Sequence, residues 1–253
     1  MNLTYLDSNS WLIEMDGKRI LLDPWLVGDL VFNNQAWLFK SKKNHPQPIP
    51  QNIDLILLSQ GLEDHAHPPT LKKLDRDLLV VASPNAAKVV KKLGYTNVTS
   101  LEHGKDFQLG EQIEIKAVPG SPIGPTLTEN GYIIKGLESG KSIYYEPHGN
   151  HSDTLKEVAP IDVIITPLIS LKLPVVGAVI KGQEAALKVC QQLNPQVIIS
   201  TAAGGDIDSE GMLVPIIEAD GDLETFNRLL QQNDLATRAI DPQSGETIEL
   251  SLV

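Results

Sequence analysis

The chain has 253 residues, of which 42% are hydrophobic and 21% are charged, as expected for a globular protein with a sizeable core. Its formal net charge of −11 argues against a nucleic-acid partner, because binding to a phosphate backbone needs a basic surface. The most apolar run, residues 163–180, is interrupted by Pro167, Lys172 and Pro174, so no membrane partner is expected. No signal peptide is visible and the single cysteine, Cys190, cannot form an intramolecular disulfide, which together predict a cytoplasmic location.

The first predicted element is a β-hairpin. Two apolar runs flank Gly17, and the second run ends at Asp23-Pro24, where proline stops the strand. The segment from Pro24 to Gln51 then holds four aromatic residues and little periodicity. It is interpreted either as a lid or binding loop, or as a loop that its aromatic side chains anchor to the core.

Alternating strands and helices follow. Apolar runs and three- and four-residue spacings predict strands at 53–58, 78–82, 162–166, 197–200 and 247–252, and helices at 68–74, 85–93, 151–158, 181–193 and 223–232. This alternation is typical of a sheet covered by helices.

A second hairpin repeats the first. The segment from Gly140 to Pro147 aligns with that from Gly17 to Pro24, with the same spacing from the turn glycine to the acidic-proline pair. The repeat predicts a single domain over 1–253 with duplicated halves at about 1–127 and 128–253. Two such halves, each with helices on its outer face, predict an α/β (α+β) fold, a four-layer αββα sandwich.

The loop after the predicted strand at 53–58 carries the pair Asp64-His65 just before a helix that starts with proline. This outline resembles the first metal motif, His-x-His-x-Asp-His, of the metallo-β-lactamase superfamily. It is similar in particular to the branch of L-ascorbate-6-phosphate lactonase and related metal-dependent hydrolases. Gln60 and Leu62 stand where that motif has its first two histidines.

The later metal positions of the resembled family are also altered. The turn at Ser121-Pro122 and the turn at Ala202-Ala203 hold no histidine, and Glu146-Pro147-His148 occupies the place of the bridging aspartate. Because a zinc ion normally needs three protein ligands, the resemblance implies at most one metal site rather than two.

The remaining ligands define the candidate site. Asp64 and His65 are the candidate catalytic residues, and with Glu146 and His148 they are expected to hold one divalent ion, zinc or manganese. His67 and His151 are alternative ligands or residues that orient the ligands. The other two histidines, His45 and His103, are interpreted as surface residues.

Two functions stay open. The first is a hydrolase of a small substrate, of lactonase, esterase or phosphoesterase type, in which a metal activates water. The second is a catalytically inactive ligand-binding protein that holds no metal. In the second case Asp23 and Glu146 would be structural acids that accept backbone N–H groups at the ends of the two hairpins, and Asp64 would be a loop or capping residue. Lys172 and Lys181 are either contacts for an anion or solvated surface residues.

Overall fold

The computed structural model describes residues 1–124, 126–174 and 177–252. Its contacts divide the chain into two compact units. The first unit comprises Met1–Glu102, Gly204–Ile216 and Gln243–Ser251, and the second comprises His103–Ala203 and Ile217–Pro242 with Leu252. The chain passes to the second unit after Glu102 rather than at 127, because the segments Asp106–Leu109 and Ile113–Ile123 pair within the sheet of the second unit. Two later segments return to pair with strands of the first unit. That the two units form one domain stays a prediction.

The described residues form twenty strands and four α-helices. The strands are β1 (Asn2–Tyr5), β2 (Trp11–Met15), β3 (Lys18–Leu22), β4 (Leu30–Val31), β5 (Lys40–Lys43), β6 (Leu55–Leu58), β7 (Val80–Ala82), β8 (Val98–Ser100), β9 (Asp106–Leu109), β10 (Ile113–Ile123), β11 (Leu127–Gly136), β12 (Ser142–Tyr145), β13 (Val163–Ile165), β14 (Ser170–Leu173), β15 (Gly177–Ile180), β16 (Val197–Ile199), β17 (Ile207–Glu210), β18 (Glu218–Asp220), β19 (Arg238–Ile240) and β20 (Thr247–Glu249). The helices are α1 (Pro68–Leu71), α2 (Pro84–Lys92), α3 (Gln183–Leu193) and α4 (Leu223–Gln232).

The first unit is built on a seven-stranded sheet with the order β20-β1-β2-β3-β6-β7-β8. Strands β1, β2 and β3 are antiparallel, and β3, β6, β7 and β8 are parallel. All four residues of β6 are buried, as expected for a central parallel strand with both faces covered. A smaller sheet, β17-β5-β4, belongs to the same unit.

The second unit repeats this topology. Its seven-stranded sheet has the order β19-β16-β13-β12-β11-β10-β9, with antiparallel pairing from β9 to β12 and parallel pairing from β12 to β19. Buried side chains of α3 and α4, including Val189 and Phe226, pack with buried residues of this sheet in one core cluster. A meander followed by parallel strands in both units is what a duplicated fold predicts.

The two hairpins differ at their turns. In the first hairpin Asp16 and Gly17 both have positive φ (47° and 75°), the pattern of a two-residue type I′ turn. In the second, five residues join β11 to β12, and Gly140 again has positive φ (69°). The predicted turn glycines are therefore both required by the backbone, although the loops they serve have different lengths.

Several predicted elements are shorter than the sequence pattern indicates. Helix α1 ends at Leu71 rather than Leu74, and the helix predicted at 151–158 is a 3₁₀ helix over Asp153–Val158. The Ser152 hydroxyl accepts a hydrogen bond from Thr154 N and so caps its start. In contrast, α4 has the predicted bounds, and its N-cap Asp222 accepts from Thr225 N at 2.7 Å.

The aromatic segment from Pro24 to Gln51 contains more structure than its sequence indicates, namely β4, β5 and a 3₁₀ helix at Phe32–Asn34. Trp25 is buried and anchors the start of the segment, with its ring nitrogen donating to Gly28 O at 2.9 Å. Trp37 is 62% exposed. Trp25 therefore fits a loop that aromatic side chains anchor to the core, and Trp37 fits a lid or binding loop.

Candidate functional site

The motif loop of the first unit leaves the carboxyl end of β6 and enters α1. The carboxyl ends of parallel strands are where α/β sheets place their ligands. Gln60 is fully buried in this loop, and Asp64 and His65 lie at its far end. The candidate residues fall into a first half, in the first unit, and a second half, which follows the second hairpin in the second unit.

Asp23 is the centre of the first half. It ends the first hairpin with φ at 41°, and it is fully buried. Its Oδ1 accepts from Ser59 N at 2.7 Å, while its Oδ2 accepts from the Ser59 hydroxyl and lies 2.7 Å from Nδ1 of His65. Because the ring of His65 is fully buried and held at Nδ1, its orientation is fixed and Nε2 points the other way.

The second ring nitrogen of His65, Nε2, lies beside the carboxylate of Asp64. Nε2 lies 3.2 Å from Oδ2 of Asp64, whose side chain is 16% exposed. Burial disfavours the charged ring, but the negative charges of Asp64 and Asp23 outweigh it and raise the pKa of His65 to about 10. The two neighbouring carboxylates therefore favour the charged form of this buried ring.

His67 lies in the same loop, but its ring contacts Thr70 and Asp29 and not the carboxylate of Asp23. Its Nδ1 is 3.0 Å from the Thr70 hydroxyl and its Nε2 is 3.1 Å from the carbonyl oxygen of Asp29. The same hydroxyl accepts from Leu26 N, so His67 and Thr70 fasten α1 to the start of the aromatic segment. Burial lowers the pKa of His67 to about 4. Both ring nitrogens have hydrogen-bond partners. That His67 is an alternative ligand, or a residue that orients the ligands, stays a prediction.

Glu146 is the centre of the second half, at the position that matches Asp23. It is fully buried and lies against Gly131, where an added Cβ would be 3.4 Å from Cγ of Glu146. Its Oε1 accepts from the Ser121 hydroxyl at 2.6 Å, and its Oε2 accepts from His148 N at 3.1 Å and from Asn150 N at 2.6 Å. Each acidic-proline pair, together with the groups that hydrogen-bond to its carboxylate, is called an acidic corner. The first acidic corner is built on Asp23-Pro24 and the second on Glu146-Pro147.

The second acidic corner contains no cationic donor to Glu146 among these contacts. Burial therefore dominates and raises the pKa of Glu146 to about 7, although hydrogen bonds from Ser121, Asn150 and His148 favour the carboxylate. Since both oxygens of Glu146 accept hydrogen bonds, its contacts are those of an acid that holds a loop. That Glu146 is also a metal ligand stays a prediction.

The two histidines that follow Glu146 have different surroundings. Nδ1 of His148 lies 3.0 Å from the hydroxyl of Ser121. Nδ1 of His151 lies 3.1 Å from the hydroxyl of Tyr144, and the two rings meet edge to face at 5.6 Å. Burial, and secondarily the charge of Lys181, lowers the pKa of His151 to about 3. His148 is therefore held by the acidic corner, whereas His151 belongs to the core beside Tyr144.

Three residues of the two corners escaped sequence analysis as members of the site. Asp23 was interpreted only as a structural acid, and Ser59 and Ser121 were not singled out for their side chains. Asp23 and His65 are separated by 42 positions, and Ser121 and His148 by 27, so no local motif joins them. The repeated acidic-proline pair was the one available signal.

Of the remaining candidates, Lys181 contacts Asn150 of the second acidic corner, whereas Lys172 and His45 have other partners. The Lys172 ammonium pairs with Asp220 at 3.7 Å on the surface, and that of Lys181 donates to the Asn150 side chain at 2.6 Å. The side chain of His45 is 87% exposed, as predicted, whereas His103 is half-buried with Nε2 3.1 Å from the carbonyl oxygen of Glu129. Among the described residues, every helix is too short or too polar to cross a membrane.

Solved structures define the class of fold. The crystal structure of an isothiocyanate hydrolase from Delia radicum gut bacteria superimposes with a TM-score of 0.72 at 15% identity, covering 99% of each chain. Igni18, a metallo hydrolase of Ignicoccus hospitalis, gives a TM-score of 0.68 at 17% identity, again over 99% of each chain. These likenesses confirm the predicted class, a mixed α/β fold of the metallo-β-lactamase type.

Sequence comparison places the chain in a family. Residues 2–202 match the model of the β-lactamase superfamily domain, and the chain belongs to this superfamily. A UPF0173 metal-dependent hydrolase of Methanopyrus kandleri is 24% identical over 258 residues, covering 98% of this chain and all of the relative. Another of Carboxydothermus hydrogenoformans is 27% identical over 187 residues, covering 66% of this chain and 72% of the relative. The predicted family is thereby confirmed.

Proposed function

We propose that the protein is a metal-dependent hydrolase of a small substrate, with a remodelled site that holds at most one divalent ion. The names of its relatives support the hydrolase class. The observation that carries the proposal is the arrangement of Asp23, His65 and Asp64. A buried carboxylate bound to one nitrogen of a histidine is the usual way in which proteins orient a metal-ligating ring, and the other nitrogen here faces a second carboxylate near the surface.

The donor atoms of the first acidic corner suit a divalent ion. Imidazole nitrogen and carboxylate oxygen are ligands of zinc, and carboxylate oxygen also suits manganese. Gln60 and Leu62, which replace the leading histidines of the resembled motif, remove the ligands of a second ion. A bound ion would lower the pKa of a coordinated water and polarise a carbonyl or phosphoryl oxygen of the substrate.

The residues of this corner have separate tasks in the proposal. Asp23 fixes the ring of His65 through Nδ1. Asp64 faces the proton on Nε2, and this proton must leave before Nε2 can act as a ligand, so metal uptake releases a proton. Ser59 donates hydrogen bonds to the carboxylate of Asp23 from its backbone N–H and from its hydroxyl, and thereby keeps the carboxylate in place.

The full ligand set remains a prediction of the sequence. It joins Asp64 and His65 to Glu146 and His148 around one ion. Glu146 also accepts hydrogen bonds from the backbone of His148 and Asn150.

A second candidate function is favoured by the same corner. The imidazolium of His65 already has a carboxylate at each nitrogen, so the corner is electrostatically satisfied without an ion. In that case the protein would be a catalytically inactive member of the superfamily that binds a ligand and no metal.

Elemental analysis of the purified protein separates the two functions. We expect close to one equivalent of zinc or manganese in the wild type, and less than about a tenth of an equivalent in His65→Ala. The matched control is His45→Ala, which removes a largely exposed histidine of the same unit and should leave the metal content unchanged. A wild type with metal below that level overturns the hydrolase proposal in favour of the inactive alternative.

Two further measurements complete the test. Loss of the ion in His148→Ala, as in His65→Ala, would support the four-residue ligand set, and an unchanged metal content would remove His148 from it. Hydrolysis of a panel of lactones, carboxylic esters and phosphate esters should be abolished by a chelator and restored by adding back the metal. Activity that persists in the chelator would contradict a metal mechanism.

A further inference from the structure

The hydroxyl of Ser121 reaches Glu146 because of an irregularity in the sheet of the second unit. Strand β10 pairs with β11 at Pro119–Asn130 and again at Pro122–Thr128, so β10 has one more residue than β11 between the two pairs. Such a bulge re-aims a side chain, and bulges occur frequently beside active sites. The side chain of Ser121 is directed inward and is only 4% exposed.

Glycine is required for this bulge. A Cβ at Gly120 would lie 2.7 Å from the backbone nitrogen of Gly131 and 2.8 Å from the carbonyl carbon of Asn130. Any other residue at 120 would push β10 away from β11 and withdraw Ser121. The sequence Pro119-Gly120-Ser121-Pro122 therefore encodes the position of one hydroxyl.

The hydrogen bonds around this hydroxyl can be assigned one after another. Lys181 has only donors, so the Asn150 atom that it contacts at 2.6 Å is the carbonyl Oδ1. The amide group of Asn150 then faces Ser121 and donates to its Oγ at 3.2 Å. The Ser121 hydroxyl has one proton, which it donates to Oε1 of Glu146 at 2.6 Å.

The remaining neighbour of Ser121 must therefore be a donor. Nδ1 of His148 lies 3.0 Å from Oγ, whose only proton is already used. A hydrogen bond at this distance therefore requires a proton on Nδ1 of His148. When the ring is neutral, its lone pair then lies on Nε2.

We propose that Ser121 is a positioning residue that holds His148 in the Nδ1–H tautomer and so presents Nε2 as a metal-ligating atom. The assignment of the tautomer stands on the hydrogen bonds alone, and the role towards a metal rests on the proposed function. Ser121 acts through His148. The hydroxyl proton of Ser121 is directed towards Glu146, because the carboxylate accepts it and the amide of Asn150 donates to Oγ.

The tautomer can be read directly in the metal-free protein. Long-range ¹H–¹⁵N correlation spectra of chelator-treated protein with ¹⁵N-labelled histidine distinguish protonated from unprotonated ring nitrogens, and His148→Gln assigns the signals of His148. At pH 8.5 we expect the wild type to show His148 with a protonated Nδ1. In Ser121→Ala this population should fall at least about threefold in favour of Nε2–H, the more stable form of a free imidazole ring.

Two controls keep the result specific. Ser121→Thr retains the hydroxyl and should keep the wild-type tautomer. Ser142→Ala removes another buried hydroxyl of the same unit, one that donates to Asp162, and should leave His148 unchanged. A wild-type His148 with a protonated Nε2, or a Ser121→Ala variant with the wild-type tautomer, would overturn the proposal.

Zinc titration then tests the role towards the metal. Loss of an outer hydrogen bond to a ligand costs about 10- to 100-fold in metal affinity, so Ser121→Ala should bind zinc correspondingly more weakly than Ser142→Ala. An unchanged affinity overturns the positioning role even where the tautomer is as expected. A wild type that binds neither zinc nor manganese overturns the proposed function and the metal role together, and the tautomer spectra still decide the hydrogen-bond assignment.

Discussion

The two acidic corners occupy matching places in a duplicated topology, yet their chemistry differs. Asp23 and Glu146 each end the second strand of a hairpin, precede a proline and are fully buried. Asp23 binds the ring of His65, and the negative charges around that ring raise its pKa to about 10. Glu146 binds a hydroxyl and backbone N–H groups, and burial raises its own pKa to about 7.

The comparison shows that burial alone does not decide the charge state of a corner. A carboxylate loses hydration in both corners, and only in the first does a cationic ring compensate for that loss. The same contrast applies to the buried histidines, since the pKa of His65 is raised whereas that of His151, which faces a tyrosine hydroxyl, is lowered to about 3. The first corner is therefore an ion-paired site, and the second is a hydrogen-bonded loop.

The largest effect is expected for Asp23→Asn. This change removes one partner of a buried ion pair, which costs about 3–5 kcal/mol in the free energy of unfolding. Urea-induced unfolding of the chelator-treated protein at pH 7 measures it. A loss below about 1 kcal/mol would show that Asp64 alone compensates for the charge of His65, and would remove the difference between the two corners.

A smaller loss is expected for Gly149→Ala in the second corner. Gly149 has φ at 75°, and a Cβ there would lie 2.0 Å from the carbonyl oxygen of Lys181, so the loop that brings Asn150 N to Glu146 must move. We expect a loss of about 2–4 kcal/mol. The matched control is Gly140→Ala, where φ is also positive but nothing lies within 4 Å, and about 1 kcal/mol is expected. Equal losses in both variants would mean that the tight contact has no role.

Glu146→Gln should cost about 1–2 kcal/mol at pH 5, less than Asp23→Asn, because the amide oxygen can still accept from the backbone. The folded-state pKa of Glu146 is about 7, above its unfolded value of 4.5. Protonated Glu146 therefore contributes its full share to the free energy of unfolding below pH 4.5, and this share is lost as the pH rises through 7. Unfolding curves of chelator-treated protein from pH 5 to pH 8 should show the advantage of the wild type over Glu146→Gln shrinking. An advantage that grows with pH would contradict a pKa of Glu146 that burial raises above its unfolded value.

The last prediction concerns how much stability the protein loses in acid because of His151. Its folded-state pKa of about 3 lies below the unfolded value of 6.5, so its contribution to stability is present above pH 6.5 and is lost as the pH falls towards 3. Between pH 7 and pH 5 the wild type should lose about 1–2 kcal/mol more than His151→Gln, which cannot be protonated. Thermal unfolding at the two pH values measures the difference. Parallel losses in both proteins would place His151 in contact with solvent.

Local patterns account for what could be predicted of the fold. The apolar runs that become β6, β13 and β16 are buried at every position, and the turn glycines Gly17 and Gly140 have the positive φ that their places in the hairpins require. These features depend on neighbours a few residues away, which the sequence displays directly. The short strands of the aromatic segment escaped prediction because β5 is completed by β17, about 170 residues later.

Side-chain direction accounts for what could not be predicted of the site. His65 and His67 are two residues apart in one loop, and yet one ring lies between two carboxylates while the other joins Thr70 to a backbone carbonyl. Spacing made both of them candidate ligands, and only the packing of Asp23 and α1 around the loop separates them.

The sequence by itself determined the superfamily and the class of fold, because motif residues and apolar periodicity are local properties of the chain. It also predicted a site at Asp64-His65. The tertiary structure decided which carboxylate acquires a cationic partner and which hydroxyl meets His148. Both outcomes depend on groups far apart in sequence, whose desolvation and hydrogen bonds exist only after the strands have paired. The bulge beside Gly120 and the positive φ of Asp23 are parts of this arrangement.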